Sequence, residues 1–297
     1  MDLESLRIFL KVAELSSLTQ AGEHLGMGKS RISRKISGLE AELGGALFHR
    51  TTRALRLTPD GEALLPRARR MVREAEDIEA LFRTGQRLRG VVRLDLPVRL
   101  ARNFIVPRLS ELLERHPDLE LFLSTTDRVV DPVREGFDCV LRVGQPEDSE
   151  LVQRKLGELA VVNCASKAYV AKRGMPLGLE ELEGHELIHY DSALAPGQPE
   201  LEYLAGGKLH TFPMRCALTV NNTDAYRAAC LAGLGIVQVP RLGVGEELDS
   251  GELVEVLPDH RCPPMPVTLL HPHSTNLPTR VRAVTRWIAD VLTPHLA

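Results

Sequence analysis

A chain of 297 residues with 43% apolar side chains is long enough for two or three compact units, each with its own core. Its 4% aromatic content argues against a stacking platform for single-stranded nucleic acid. No apolar run approaches 20 residues and no basic-then-apolar segment opens the chain, so it reads as a soluble, cytoplasmic protein with no membrane partner. The formal net charge of −3 hides an asymmetry: residues 1–90 carry +4 and the remainder −7, which suits the front end to a polyanion.

The first three expected elements are short helices. Leu6, Phe9, Leu10 and Ala13 mark the first; Leu18, Ala21 and Leu25 mark the second, which ends in the turn Gly26-Met27-Gly28. In the third, Ile32, Ile36, Leu39 and Leu43 recur at 4-3-4 spacing on one stripe. Ser30, Arg34 and Ser37 lie opposite, with Arg31 and Ser33 on the shoulders. A helix buried on one side and basic on the other can enter a major groove about 12 Å wide, and two helices across a glycine-bearing turn spell a helix-turn-helix. From Leu47 to Thr58 apolar and basic residues alternate around Arg53, as in a β-ribbon that lays arginines on phosphates. Between residues 28 and 57 seven cations (Lys29, Arg31, Arg34, Lys35, Arg50, Arg53, Arg56) face two acids (Glu40, Glu42), a local +5 that favours phosphate binding through counterion release. A solvated basic face would show the charge run, but not the turn and the arginine ribbon in this order.

Thr58 followed by Pro59 starts a further helix, expected to run to about Arg89, some 45 Å, with Pro66 as its one breaker. Leu64, Ala68, Met71, Ala75, Ile78 and Phe82 repeat at 4-3-4-3-4, a seam that calls for another helix. Its length and the opposite polar face (Arg67, Arg70, Arg73, Glu74, Asp77) favour a second copy of the chain over packing on its own domain.

Beyond Gly90 strands alternate with helices. Strands are expected at 91–96, 119–124 and 138–143, with a helix at 101–116 broken near Pro107 and a short one at 131–136. This βαβ order implies a mostly parallel sheet covered by helices. A second such unit spans roughly 164–264, with a helix at 223–233 and a strand at 235–239; a strand at 266–270 and a last helix at 279–292 return to the first. Two lobes joined by a double crossover form a cleft that can close on a ligand. Ligands sit outside the carboxyl ends of such strands, which points to Pro97, Val98 and Arg99, to Ser124 and Thr125, to Arg142 and Gly144, and to Asn222 and Thr223. Arg99, Arg102 and Arg142 would favour an organic acid; paired with neighbouring acids they would not.

Enzyme signatures are scarce: there is no phosphate-binding Gly-x-x-x-x-Gly-Lys loop, no Gly-x-Ser-x-Gly elbow and no His-Glu-x-x-His. No catalytic residue, cofactor or metal is assigned. His271 and His273 lack further ligands nearby, and His185 and His189 fit a strand end better than a helix. Cys139, Cys164, Cys216, Cys230 and Cys262, odd in number and without a Cys-x-x-Cys pair, read as reduced residues, mostly buried.

Residues 1–60 resemble the winged helix-turn-helix of LysR-type transcriptional regulators. The matching residues are Ser17-Leu18-Thr19 with Ala21, Ser33-Arg34, Ile36, Leu39-Glu40, Leu43-Gly44, Leu47-Phe48, Arg50 and Leu57-Thr58-Pro59 with Gly61. The back end resembles the effector domain of the same family, closest to its CrgA-like branch, through residues 126–131, 135–144, 164–166 and 233–240. The resemblance implies an α/β protein: a winged helix-turn-helix (1–58), a linker dimerisation helix (59–89) and a two-lobed, periplasmic-binding-protein-like effector domain (90–297). Lobe I would comprise about 90–162 and 266–297, and lobe II about 163–265. It implies that Lys29, Ser30, Ser33 and Arg34 face bases and phosphates, with Arg53 on the wing; Arg31 and Arg50 join them on charge. The family's usual serine at the start of the third helix is Gly28 here, an acceptable cap without a hydroxyl for phosphate. The implied partners are double-stranded promoter DNA, a small-molecule effector, further copies of the chain as a dimer or tetramer, and RNA polymerase as an additional candidate. The rivals, a solute-binding protein and an enzyme using the cleft, leave the basic first 60 residues without a use.

Overall fold

A computed structural model of the chain describes residues 1–50, 55–81, 88–145, 151–272 and 277–297. It divides into two compact units, Met1–Gln86 with Val133–Gly136 and Arg87–Pro132 with Phe137–Ala297.

In the first unit, helices α1 (Leu3–Leu15), α2 (Leu18–Leu25) and α3 (Lys29–Leu43) start and stop where local chemistry dictates. The Asp2 carboxylate accepts from the Ser5 amide at 2.6 Å and the Ser17 hydroxyl from the Gln20 amide at 3.3 Å, so two N-termini are capped by side chains. Gly28 caps α3 through its carbonyl alone, accepting from Arg31 at 2.8 Å and Ile32 at 3.2 Å. The turn before it needs glycine twice. Gly26 sits at φ +63°, and a Cβ on Gly22 would stand 2.5 Å from the Met27 carbonyl oxygen. Ile32, Ile36 and Leu39 are buried against Leu6, Phe9, Val12 and Ala21. Leu43, expected on the same stripe, is 45% exposed, because α3 ends at Gly44 one turn beyond the core.

A hairpin of β1 (Phe48–Arg50) and β2 (Leu55–Leu57) follows, in antiparallel register Phe48 to Leu57. Phe48 packs its ring against that of Phe9, centroids 5.5 Å apart and planes tilted by 54°. The base of the hairpin is clamped. Glu40 accepts from the Leu47 and Phe48 amides at 2.9 and 3.3 Å, and the Thr58 hydroxyl donates to the Ala46 carbonyl at 2.5 Å while accepting from the Gly61 amide at 3.0 Å. Thr58 thereby caps α4 (Pro59–Leu81), which continues through Pro66 for 23 residues, about 35 Å.

The second unit opens with β3 (Arg89–Leu96) and α5 (Val98–Leu100). The helix expected at 101–116 is a wide turn at Ala101–Ile105, a tight one at Val106–Arg108 around Pro107, and then α6 (Leu109–Arg115). Strand β4 (Asp118–Thr125), α7 (Pro132–Glu135), β5 (Cys139–Val143) and β6 (Val152–Leu159) come next. A second group begins with β7 (Val161–Ser166), α8 (Lys167–Arg173) and β8 (Glu186–Tyr190), and continues with β9 (Glu200–Ala205), β10 (Lys208–Pro213) and β11 (Arg215–Val220). It closes with α9 (Thr223–Leu231), β12 (Val237–Pro240), α10 (Gly245–Ser250) and β13 (Leu253–Glu255). Finally β14 (Met265–His271) and α11 (Thr279–Leu292) return to the first sheet.

That sheet has the order β4-β3-β5-β14-β6, with β3 parallel to β4 and β5 but β14 antiparallel to β5 and β6. It is mixed, not mostly parallel: βαβ order governs only β3, β4 and β5, while β6 and β14 are the outgoing and returning crossovers. Val281, Val284, Ile288 and Leu292 of α11 bury against it. The second lobe holds an antiparallel trio β12-β7-β13 and a parallel pair β8 and β11, around Cys164, Ile188, Tyr226, Cys230 and Val237. A β9–β10 hairpin, unforeseen in the sequence, turns on Gly206 and Gly207 at φ +59° and +74°.

Candidate functional site

The first surface is the outward side of α3. Lys29, Ser30 and Arg34 are exposed, on the side away from the buried Ile32, Ile36 and Leu39, and Ser33 is half-buried. The acids that balance the helix lie outside the stretch where its charge was counted. Glu4 of α1 holds Arg31 at 3.1 Å and Lys35 at 2.7 Å, and Asp2 holds Lys35 at 3.2 Å. The Ser5 backbone amide and hydroxyl, then Lys35, lower the Asp2 carboxyl to about 2; the Lys35 hydrogen bond lowers Glu4, and the two acids raise Lys35. The +5 expected from residues 28–57 is therefore partly spent on α1. Lys29 and Arg34 make no ion pair among the described residues. On the hairpin His49 and Arg56 face each other in register and are exposed. Arg53 and the side chain of Arg50 lie outside the described residues.

The α4 seam splits. Leu64 and Ala68 belong to the core of their own unit together with Val72, which the heptad reading had placed off the seam. They were expected at a subunit interface, but the hairpin and α1 lie against the first turns of α4 and cover them. Met71 and Ile78 are 41% and 58% exposed and Ala75 is half-buried, while Phe82 lies outside the described residues.

The second site is a cavity of about 310 Å³ in the second unit, within the usual range for small-molecule sites. Of the residues expected at strand ends, Pro97, Arg99, Arg142 and Thr223 line it; Val98, Ser124, Thr125, Gly144 and Asn222 do not. Strand β4 is an edge strand, so its end at Ser124 and Thr125 stands to the side, and the chain enters the cavity at the next residue, Thr126. Asn222 spends its side chain capping α9, accepting from Ala225 at 2.8 Å, and Gly144 (φ +99°) donates its amide to Pro266. The residues that strand-end reasoning missed are Thr126 and Asp127, together with Phe104, Tyr190, Tyr226 and Gln238. Of these, Thr126, Asp127 and Gln238 fall inside segments that carry the family resemblance, 126–131 and 233–240.

The cavity arginines are engaged. Arg142 bonds Asp95, which is fully buried and also accepts from the Thr126 hydroxyl at 3.0 and 3.1 Å. Arg99 bonds Asp224 at 3.1 Å and the Gly243 carbonyl, and Arg102, outside the cavity, reaches the same aspartate at 3.4 Å. Arg227 bonds Glu247. Burial, and then the charge of Asp127, push the Tyr190 hydroxyl well above its ordinary value. Of the pair His271 and His273, His273 lies outside the described residues; among those described no three potential metal ligands meet.

The comparisons with known proteins agree with this architecture. The family model described as bacterial regulatory helix-turn-helix protein, lysR family, matches residues 3–62, and the LysR substrate binding domain matches 85–293. The chain is 37% identical over 295 residues to the uncharacterized HTH-type transcriptional regulator YhjC of Escherichia coli, covering 99% of both. It is 32% identical to the HTH-type transcriptional activator AaeR of the same organism, covering 97% of this chain and 93% of that one. Among solved structures, CrgA of Neisseria meningitidis superposes with a TM-score of 0.61 at 26% identity, covering 98% of each chain. The Vibrio cholerae virulence activator AphB gives 0.59 at 28%, covering 98% and 99%. From its helix-turn-helix to its two-lobed back end, the chain belongs to the LysR family of bacterial transcriptional regulators.

Proposed function

We propose that this regulator grips duplex promoter DNA with the outward side of α3 and with the hairpin beside it, and that a small molecule in the cavity of the second unit adjusts the grip. Lys29, Ser30, Ser33 and Arg34 are the contacts on the helix, with Arg31 recruited when phosphate replaces Glu4 and with Arg50 and Arg53 on the wing. The observation that carries this reading is the sidedness of α3: three fully buried aliphatic residues on one side, and exposed Lys29, Ser30 and Arg34 on the other. Met71, Ala75 and Ile78 supply the apolar strip through which α4 pairs with a second copy, giving a dimer or tetramer. Paired heads suit half-sites about 34 Å apart. RNA polymerase is the further partner proposed for a promoter-bound regulator. The functional segments are 1–58, 59–89 and 90–297, with lobes near 90–162 plus 266–297 and 163–265. A gel shift on the DNA upstream of its own gene tests the proposal. Binding that weakens steeply between 50 and 200 mM salt and is far weaker on a scrambled duplex is expected; equal affinity for both duplexes refutes it.

A further inference from the structure

We propose that the cavity selects an uncharged, mainly apolar small molecule, because Asp127 already occupies the place where an acidic effector would put its carboxylate. The proposal rests on reading this cavity as the effector site. An anion in such a site is held by free amides at a helix start, by hydroxyls beside them, and by arginines. Here the protein supplies its own anion to each. The Thr223 amide at the start of α9 and the Thr223 hydroxyl donate to Asp127 Oδ2 at 2.8 and 2.9 Å, and the Val98 amide donates to Oδ1 at 3.0 Å. Both carboxylate oxygens are thus engaged, and the contact ties the loop after β4 to the opposite lobe.

The three arginines in the wall are each paired with a carboxylate of the protein, Arg99 with Asp224, Arg142 with Asp95 and Arg227 with Glu247; Arg227 Nε alone is buried without a hydrogen-bond partner among the described residues, a donor that a neutral carbonyl or ether oxygen can satisfy. Taking Arg142 from Asp95 would strand a fully buried carboxylate, a loss that an incoming acid does not recover. Glu200 and Glu202 also line the cavity and make no ion pair among the described residues, so a second carboxylate meets repulsion. Those two acids are exposed, whereas much of the wall is Leu100, Phe104, Ile188, Val239, Leu242 and Val244. An ammonium would lose its water there without gaining a buried counterion. What fits is an apolar body with at most neutral hydrogen-bonding groups.

The test uses the full-length protein and three matched probes: cyclohexanecarboxylate, its methyl ester and cyclohexylmethylamine, titrated by calorimetry. Wild type is expected to bind the ester at least tenfold more tightly than the acid or the amine. Asp127→Ala vacates the anion place, so it should gain at least tenfold in affinity for the carboxylate. Acetate should raise its melting temperature over chloride at equal ionic strength and leave wild type unmoved. Asp127→Asn, which keeps the place filled, should gain nothing. Wild-type binding of the acid or amine as tight as the ester, no binding of the ester, or no carboxylate gain in a folded Asp127→Ala each overturns the proposal. Should that variant not fold, the wild-type ranking of the three probes decides. Ester binding that leaves the promoter footprint unchanged sinks the effector reading while the charge assignment stands; acid binding that shifts the footprint does the reverse.

Discussion

Replacing Arg34 with alanine removes one of the two cations on α3 that make no ion pair with an acid among the described residues. Its side chain is exposed, so neither the core at Ile32, Ile36 and Leu39 nor the caps of α3 should change. If Arg34 neutralises one phosphate, its loss lowers the slope of log K against log salt by about 0.9. Across a fourfold rise from 50 to 200 mM salt, that one contact changes affinity by roughly 3.5-fold, so the gap between wild type and variant should narrow by that factor. If Arg34 reads a base instead, the slope stays and promoter affinity falls roughly ten- to hundredfold, while a scrambled duplex loses little. Fluorescence anisotropy with both duplexes at 50, 100 and 200 mM salt separates the cases, with circular dichroism reporting the fold. An Arg34→Ala protein with wild-type affinity and wild-type slope on both duplexes would refute the assignment of α3 to the groove.

Gly61→Ala should destabilise the winged unit by about 1–3 kcal/mol, because its Cβ would stand 2.2 Å from the Leu47 carbonyl oxygen. An earlier urea transition by circular dichroism is the readout. Native-state titration with a thiol reagent at pH 8 should find one fast cysteine, Cys216. It alone is not buried, and burial pushes the thiols of Cys139 and Cys262 up to about 12. Cys216→Ser should remove the fast phase; a second fast thiol would contradict the packing of the core. Burial holds His185, bonded to the Tyr169 hydroxyl at 3.2 Å, below its ordinary value of 6.5. A neutral imidazole favoured by the fold stabilises fully above pH 6.5 and loses that contribution as pH falls through its lowered folded value. The second unit should therefore melt earlier below pH 6.5, and His185→Asn should flatten that limb; an unchanged pH profile in the variant would argue against it.

Periodicity made α3 legible, because a buried stripe at 4-3-4 spacing leaves few other choices for Ile32, Ile36 and Leu39. The same rule overreached at Leu43, because α3 runs one turn past the core before a left-handed Gly44 ends it. In α4 two apolar patterns share one helix. Ala68 with Val72 faces inward and Met71 with Ile78 faces outward, so one seam drawn through both was half right about which residues remain uncovered. Local chemistry also marks the β9–β10 hairpin, since a Gly206-Gly207 pair between two strand-length segments is a tight-turn signal. The cavity was harder. Asp127 meets Thr223 across 96 positions of sequence, and Arg142 meets Asp95 across 47, so nothing in local spacing announces that the arginines arrive already neutralised. Likewise Glu4 and Asp2 reach Arg31 and Lys35 only once α1 folds across α3.

The Thr58 and Glu40 bonds at the base of the hairpin have a mechanical corollary. With Thr58 fastened to Ala46 and Gly61, and Ala68 and Val72 sunk in the core, the opening turns of α4 cannot pivot independently of α3. The helix is a rigid handle: a tilt of 10° swings its far end, about 35 Å away, through roughly 6 Å. Read in reverse, a few ångströms of travel at the handle's end re-aim the basic helix by an angle that a groove about 12 Å wide would register.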